Sequence, residues 1–112
     1  MPDQPAHMPK WAIALPKLWD IAMGVLFGEM WERPQLSKRD RSLITCAVLT
    51  ALYRPDQLRY HIGFALDNGV TQDELAEMMT HVAFYAGHPC AVAAGNIAYD
   101  VFALRQEQAE KG

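Results

Sequence analysis

Two histidines carry the side chains best suited to acid–base chemistry in this sequence. His61 follows Leu58 by three residues and precedes Ala65 by four, so on a helix it lies at the margin of the apolar face. His81 follows Glu77 by four residues, a spacing at which the carboxylate can reach the imidazole and orient it. Each could equally be an ordinary half-buried histidine with a satisfied hydrogen bond.

Arginines near two predicted helix ends are candidates for binding an anion. Glu29 and Arg33 are four residues apart across a helix end, and a surface ion pair is the simpler interpretation of that spacing. Arg41 lies in the first turns of an apolar helix, where helix N–H groups also favour an anion. Its partner is therefore either a protein carboxylate or a bound ligand.

The sequence gives little support for metal binding, a phosphate-binding loop or thiol chemistry. Glu74, Glu77 and His81 could in principle bind a metal ion, but they lie on one helix face only. No Gly-rich phosphate loop follows a strand. Cys46 and Cys90 belong to no CxxC, and their apolar neighbours predict small buried side chains. We expect no metal and no cofactor.

Length, composition and charge restrict the class of protein. The 112 residues, 51% of them hydrophobic and 21% charged, predict one folded domain. The net charge of -3 disfavours nucleic-acid binding, because phosphates require a positive face. No signal peptide or membrane span is evident, so a cytoplasmic protein is expected. We expect residues 1–10 to form a flexible arm and residues 11–108 a helical domain.

Apolar periodicity and helix-ending residues predict an all-α fold without strands. The expected helices cover residues 17–30, 38–53, 57–68, 72–87 and 89–106. Ser37 and Asp56 are expected to cap the second and third helices, and Thr71 with Glu74 forms a capping box for the fourth. Gly87 is expected to end that helix.

The second of these helices is apolar nearly all round over residues 43–49, which predicts a central, buried helix. The last helix also spreads apolar residues around its surface. A 112-residue monomer has little interior in which to bury two such helices. We therefore expect other subunits to cover them.

Four motifs together resemble the carboxymuconolactone decarboxylase family, and its small decarboxylase branch more than its peroxidase branch. They are W-x-R-P at 31–34, R-x-R-S-L at 39–43, Asn-Gly-Val-Thr at 68–71 and Tyr-Ala-Gly-x-Pro at 85–89. The resemblance covers residues 19–103. The alkylhydroperoxidase D-like branch carries a CxxC just before its histidine, where this chain has Arg54-Pro55-Asp56-Gln57. No thiol peroxidase activity is therefore expected.

The resemblance implies an all-helical subunit of five to six helices, of the alkylhydroperoxidase D-like type, that assembles into trimers or hexamers. It implies an active site near subunit contacts and a carboxy-lyase reaction, in which 4-carboxymuconolactone loses CO2 to give 3-oxoadipate enol-lactone. Two alternatives stay open. One is another lactone or enol isomerase or decarboxylase on the same scaffold, and the other is a non-catalytic oligomer that binds a small anion.

The roles follow from the reaction that the resemblance implies. The protein must hold two carboxylates, stabilise charge on the lactone oxygen and deliver a proton. The expected catalytic residues are His61, Glu29 and His81, and the expected substrate-binding residues are Arg33, Arg41, Trp31 and Gln57. His61 is the leading general acid, Glu29 an orienting partner or second proton carrier, and His81 the reserve acid with Glu77. Gln57 stands where the family often has Glu.

Overall fold

The computed structural model describes residues 8–111, in which every regular element is helical. This confirms the all-α class. The elements are α1 (Lys10–Ala14), α2 (Pro16–Ile21), a π-helix that continues it (Ala22–Met30), α3 (Lys38–Ala51), α4 (Pro55–Asp67), α5 (Gln72–Ala86) and α6 (His88–Lys111). Within the described range, no helix has the length and apolar character that crossing a membrane requires. The arm predicted for residues 1–10 lies mostly outside the described residues.

The described residues fall into two compact units, 8–38 and 39–111. The first unit contains α1, α2 and the π-helix. Pro16 opens α2, as its fixed φ and missing N–H favour. Two aromatic pairs pack within this unit. The ring centroids of Trp11 and Trp19 lie 5.7 Å apart, and those of Phe27 and Trp31 are separated by the same distance. Helix α1 was not predicted, and neither was the π-helical geometry of the second half of the 17–30 segment.

The second unit has a hydrophobic core to which all four of its helices contribute. Its fully buried or nearly buried members are Cys46, Leu58, Ile62, Ala65, Val70, Leu75, Met79, Ala94, Ile97, Ala98 and Val101. Polar contacts fasten the helices around this core. Arg39 on α3 pairs with Glu74 on α5, and Arg105 on α6 donates to the carbonyl oxygen of Gly63 on α4 at 2.9 Å. The core therefore holds the helix that carries His61 from several sides.

The prediction that α3 is buried on most of its faces is wrong for the single chain. Its buried stripe consists of Ser42, Cys46 and Thr50. Thr50 Oγ1 donates to the carbonyl oxygen of Cys46 at 2.8 Å, so the hydroxyl is satisfied without solvent. The opposite stripe of larger apolar residues, Ile44, Val48 and Leu52, is exposed. Small polar residues that bond locally can thus occupy the inner face of a helix.

The predicted signals at both ends of α5 are confirmed, whereas the cap predicted at the start of α4 is not formed. Thr71 and Glu74 form the capping box: Glu74 N donates to Thr71 Oγ1 at 3.0 Å, and Thr71 N donates to Glu74 Oε1 at 2.9 Å. Gly87 ends α5 at a φ of 117°, a backbone conformation that favours glycine. Asp56, however, does not cap α4, because the helix begins one residue earlier at Pro55. A proline at the first helical position has no N–H that requires a cap.

Candidate active site

His61 lies in the middle of α4, half-buried beside aromatic rings. Its imidazole meets the ring of Tyr60 edge-on at 5.2 Å and lies 6.2 Å from the ring of Phe64. The atom Nδ1 is buried and has no hydrogen-bond partner among residues 8–111. Burial lowers the pKa of His61 below its ordinary value. The predicted position at the margin of the apolar face is confirmed.

This environment favours the neutral imidazole of His61 at neutral pH and leaves its buried Nδ1 without a hydrogen-bond partner among residues 8–111. Buried polar atoms without a partner are uncommon, and functional sites are one place where they occur. A neutral imidazole can accept a proton at one nitrogen and donate one from the other. The imidazole can therefore exchange a proton with a ligand group that contacts its accessible edge.

Gln57 lies one helical turn before His61 on α4 and is exposed. Residues four apart on a helix share a face, so the amide and the imidazole are neighbours on α4. An amide can donate or accept a hydrogen bond but does not ionise. Gln57 can thus orient a ligand beside His61 without acting as a proton carrier.

His81 lies on α5 in a different environment. Its ring is exposed and packs against the ring of Tyr85, with centroids 5.0 Å apart. Among the described residues it makes no hydrogen bond with Glu77, so the orientation expected from the i,i+4 spacing is not formed. The two side chains line an open groove of about 380 Å³, together with Leu43, Glu74 and Met78.

Glu74 is held by the fold rather than directed at a ligand. One carboxylate oxygen accepts from the backbone N–H of Thr71, and the other pairs with Arg39. The hydrogen bond from Thr71, and then the bond from Arg39, lower the pKa of the Glu74 carboxyl below its ordinary value. A carboxylate engaged on both oxygens is a poor metal ligand, consistent with the interpretation that this helix face binds no metal.

The remaining predicted residues lie on other elements. Arg41 is half-buried in the second turn of α3, in the same unit as His61. Glu29, Trp31 and Arg33 belong to the first unit. Glu29 is exposed near the end of the π-helix, Trp31 is only 6% exposed and packs against Phe27, and Arg33 is exposed in the turn that follows. Trp31 thus presents little of its surface to a ligand in the single chain.

Sequence reasoning missed the aromatic neighbours of His61 and the clamp that holds its helix. Tyr60 and Phe64 lie one residue before and three residues after His61, so their spacing could have identified them. The clamp is Arg105, which donates to Gly63 O at 2.9 Å and to Asp67 Oδ1 at 2.6 Å. Its separation from α4 in the sequence gives no local signal.

The two cysteines behave differently. Cys46 is buried, as predicted, and burial raises the pKa of its thiol to about 12. Cys90 is only half-buried near the start of α6. Neither lies on α4, where residues 54–57 carry no thiol.

Known proteins with similar sequences place this chain in a family. Residues 16–100 match the model of the carboxymuconolactone decarboxylase family. The chain is 50% identical over 76 residues to 4-carboxymuconolactone decarboxylase of Acinetobacter baylyi, covering 68% of this chain and 57% of that protein. It is 35% identical over 68 residues to nitrosuccinic acid decarboxylase of Metarhizium robertsii, covering 61% and 48%.

A third relative carries no function in its name. The chain is 34% identical over 85 residues to an uncharacterized 15.0 kDa protein of Paracoccus denitrificans, covering 73% of this chain and 63% of that one. The chain thus spans about half to less than two thirds of the length of these curated relatives. The family model covers most of its residues, and the chain belongs to the carboxymuconolactone decarboxylase family.

Proposed function

We propose that this chain is a cofactor-independent decarboxylase of a small lactone carboxylate, with 4-carboxymuconolactone as substrate and 3-oxoadipate enol-lactone as product. The observation that carries the proposal is the buried, partnerless Nδ1 of His61 on α4. The identity to a relative named for this substrate supports the choice of lactone. Arg33 and Arg41 are the proposed carboxylate-binding residues, because guanidinium groups pair with carboxylates through two parallel hydrogen bonds.

The proposed reaction needs no cofactor because the substrate accepts its own electrons. The bond between the ring carbon and its carboxylate breaks, and CO2 leaves. The electron pair moves through the adjacent double bond onto the lactone carbonyl oxygen. When the electron pair returns from the oxygen, the ring carbon next to the lactone carbonyl takes a proton from His61. This proton balances the reaction. The protein supplies binding, charge stabilisation and that proton.

Burial and substrate charge act on His61 in opposite directions. In the free protein, burial holds the pKa of His61 below its ordinary value and keeps the ring neutral at neutral pH. A bound dianion favours the imidazolium, because an adjacent negative charge stabilises the protonated form. Substrate binding would thus load His61 with the proton that the reaction consumes. Binding should accordingly weaken as the pH rises.

A second candidate is decarboxylation of another small dicarboxylate, which the relative named as a nitrosuccinic acid decarboxylase favours. A nitro group, like a conjugated lactone, can accept the electron pair left by CO2. The two candidates are separated by assaying CO2 release from 4-carboxymuconolactone and from nitrosuccinate with the same preparation. Faster release from the lactone supports the first proposal, and faster release from nitrosuccinate favours the second. Release from neither would contradict both.

Self-association is part of the proposal, as a trimer or hexamer. Large apolar side chains on α3 and at the end of α5 are exposed in the single chain, with Phe84 at 85% and Tyr85 at 82% exposure. Contiguous apolar patches are rare on monomers. Sedimentation velocity should give a trimer or hexamer for the wild type, and Val48→Asp in the centre of the α3 stripe should dissociate it. A monomeric wild type would contradict this part.

A further inference from the structure

The segment that carries Glu29 has a hydrogen-bond register different from that of the other helices. Residues Ala22–Met30 form a π-helix of nine residues, the helix type defined by hydrogen bonds between residues five apart. The pattern runs to the helix end, where Trp31 N donates to Leu26 O at 2.9 Å. Such segments are rare and mostly a single turn long, and they occur frequently at functional sites.

Gly28 lies close to an earlier backbone carbonyl of the same π-helix. A Cβ atom placed on Gly28 would lie 2.9 Å from the carbonyl oxygen of Met23, five residues earlier on the same π-helix. That oxygen belongs to the backbone and can retreat only if the helix changes. Gly24 lies on the same π-helix, and a Cβ placed there meets nothing within 4 Å. The two glycines therefore differ in the space that is available for a Cβ atom.

The register also determines where the next side chains point. Each residue of an α-helix turns the chain by about 100°, so exchanging a π-turn for an α-turn would rotate the following residues by about that angle. In the present register Glu29 is exposed and Trp31, two residues later, is buried against Phe27. A rotation of that size would move both side chains to a different side of the helix.

We propose that Gly28 is a positioning residue, whose missing Cβ allows the π-helix to close on Met23 and so sets the direction of the Glu29 side chain. The inference rests on the proposed function, because it takes Glu29 as an orienting partner or second proton carrier in that reaction. Gly28 touches no substrate and acts only through the direction of its neighbour. Glycine at this position is then required because it has no Cβ atom, and not because it makes the helix flexible.

The test compares Gly28→Ala with Gly24→Ala, the same exchange at an open position four residues earlier. We expect Gly28→Ala to lose the hydrogen bond from Trp31 to Leu26 in a crystal structure and to lower kcat about 100-fold, as misplaced groups do. KM should change little. Gly24→Ala should keep both the register and the wild-type kcat.

A double-mutant cycle identifies the route of the effect. Glu29→Gln alone should also lower kcat, and adding Gly28→Ala to it should cause no further loss, because both changes remove the same contribution. Additive losses, an unchanged kcat in either single variant, or a π-helix retained in Gly28→Ala would each overturn the inference. A wild type without lactone turnover would instead contradict the proposed function, and the crystal structures would still decide whether Gly28 sets the register.

Discussion

Asn68 Nδ2 donates a hydrogen bond of 2.9 Å to Oγ of Ser42. This contact joins the end of α4 to the buried stripe of α3, and Ser42 is fully buried. Arg41 immediately precedes Ser42, and α4 carries His61. The contact therefore connects the elements of the second unit that bear the proposed acid and one proposed carboxylate-binding residue.

Replacement of Ser42 by Ala should destabilise the protein by about 1–2 kcal/mol, because the half-buried Asn68 amide loses its acceptor. Chemical denaturation of the wild type and the variant measures the change. The double variant Ser42→Ala, Asn68→Ala should lose less stability than the sum of the losses in the two single variants. A Ser42→Ala variant as stable as the wild type would show that this bond contributes nothing.

The capping box at α5 should contribute measurably to stability. Thr71→Ala removes the side chain that accepts from Glu74 N and should cost about 1 kcal/mol. Thr80→Ala on the same helix is the control, since within residues 8–111 Thr80 Oγ1 bonds only to the carbonyl oxygen of Ala76. Thermal melting should show a lower Tm for Thr71→Ala and little change for Thr80→Ala. Equal effects at both positions would contradict the assignment.

The free energy of unfolding of the ligand-free protein should decrease as the pH falls below the pKa of a histidine in the unfolded chain. Burial holds the pKa of His61 below its ordinary value in the folded state, so below about pH 6.5 the unfolded chain binds more protons. The stability that His61 contributes is present above that pH and lost as the pH falls toward the folded-state pKa. Melting curves at several pH values should show a smaller decrease for His61→Gln. The exposed His88, changed to Gln, is the control; if both variants behave alike, burial of His61 has no such effect.

The two thiols should react at different rates with a thiol reagent. Cys90 is half-buried and should be modified in the folded protein. Cys46 is buried with a pKa of about 12, so it lacks the thiolate that reacts and should be modified only on unfolding. The native wild type should thus titrate one thiol and Cys90→Ala none. Rapid modification of Cys46 in the native protein would contradict its placement in the core.

Local sequence signals predicted the second unit well where the chemistry is local. Thr71 and Glu74 predicted a capping box and Gly87 a helix end, because each satisfies backbone groups only a few residues away. The burial of α3 on most of its faces was predicted wrongly for the single chain, since hydropathy ranks Ile44 above Ser42 and takes no account of the bond from Asn68. That bond spans 26 residues, so the local sequence does not contain it.

The candidate site divides in the same way. The position of His61 at the edge of an apolar face followed from the helical period, and the structure confirms it. Its orphan Nδ1 and the π-helix before Trp31 did not follow from the sequence. An α-helical and a π-helical segment of this composition look alike in the sequence, because the difference lies in which carbonyl each N–H selects. The roles of His61, Glu29, Arg33 and Arg41 remain predictions.

The most direct test is the rate at which the protein consumes 4-carboxymuconolactone, followed by its absorbance, for the wild type, His61→Ala and His88→Ala. We predict turnover by the wild type and by His88→Ala, and a loss of about 100-fold or more in His61→Ala, as removal of a general acid causes. Circular dichroism should show the same helical content in all three. A folded His61→Ala variant that turns over the lactone at the wild-type rate would contradict the assignment of His61 as the acid.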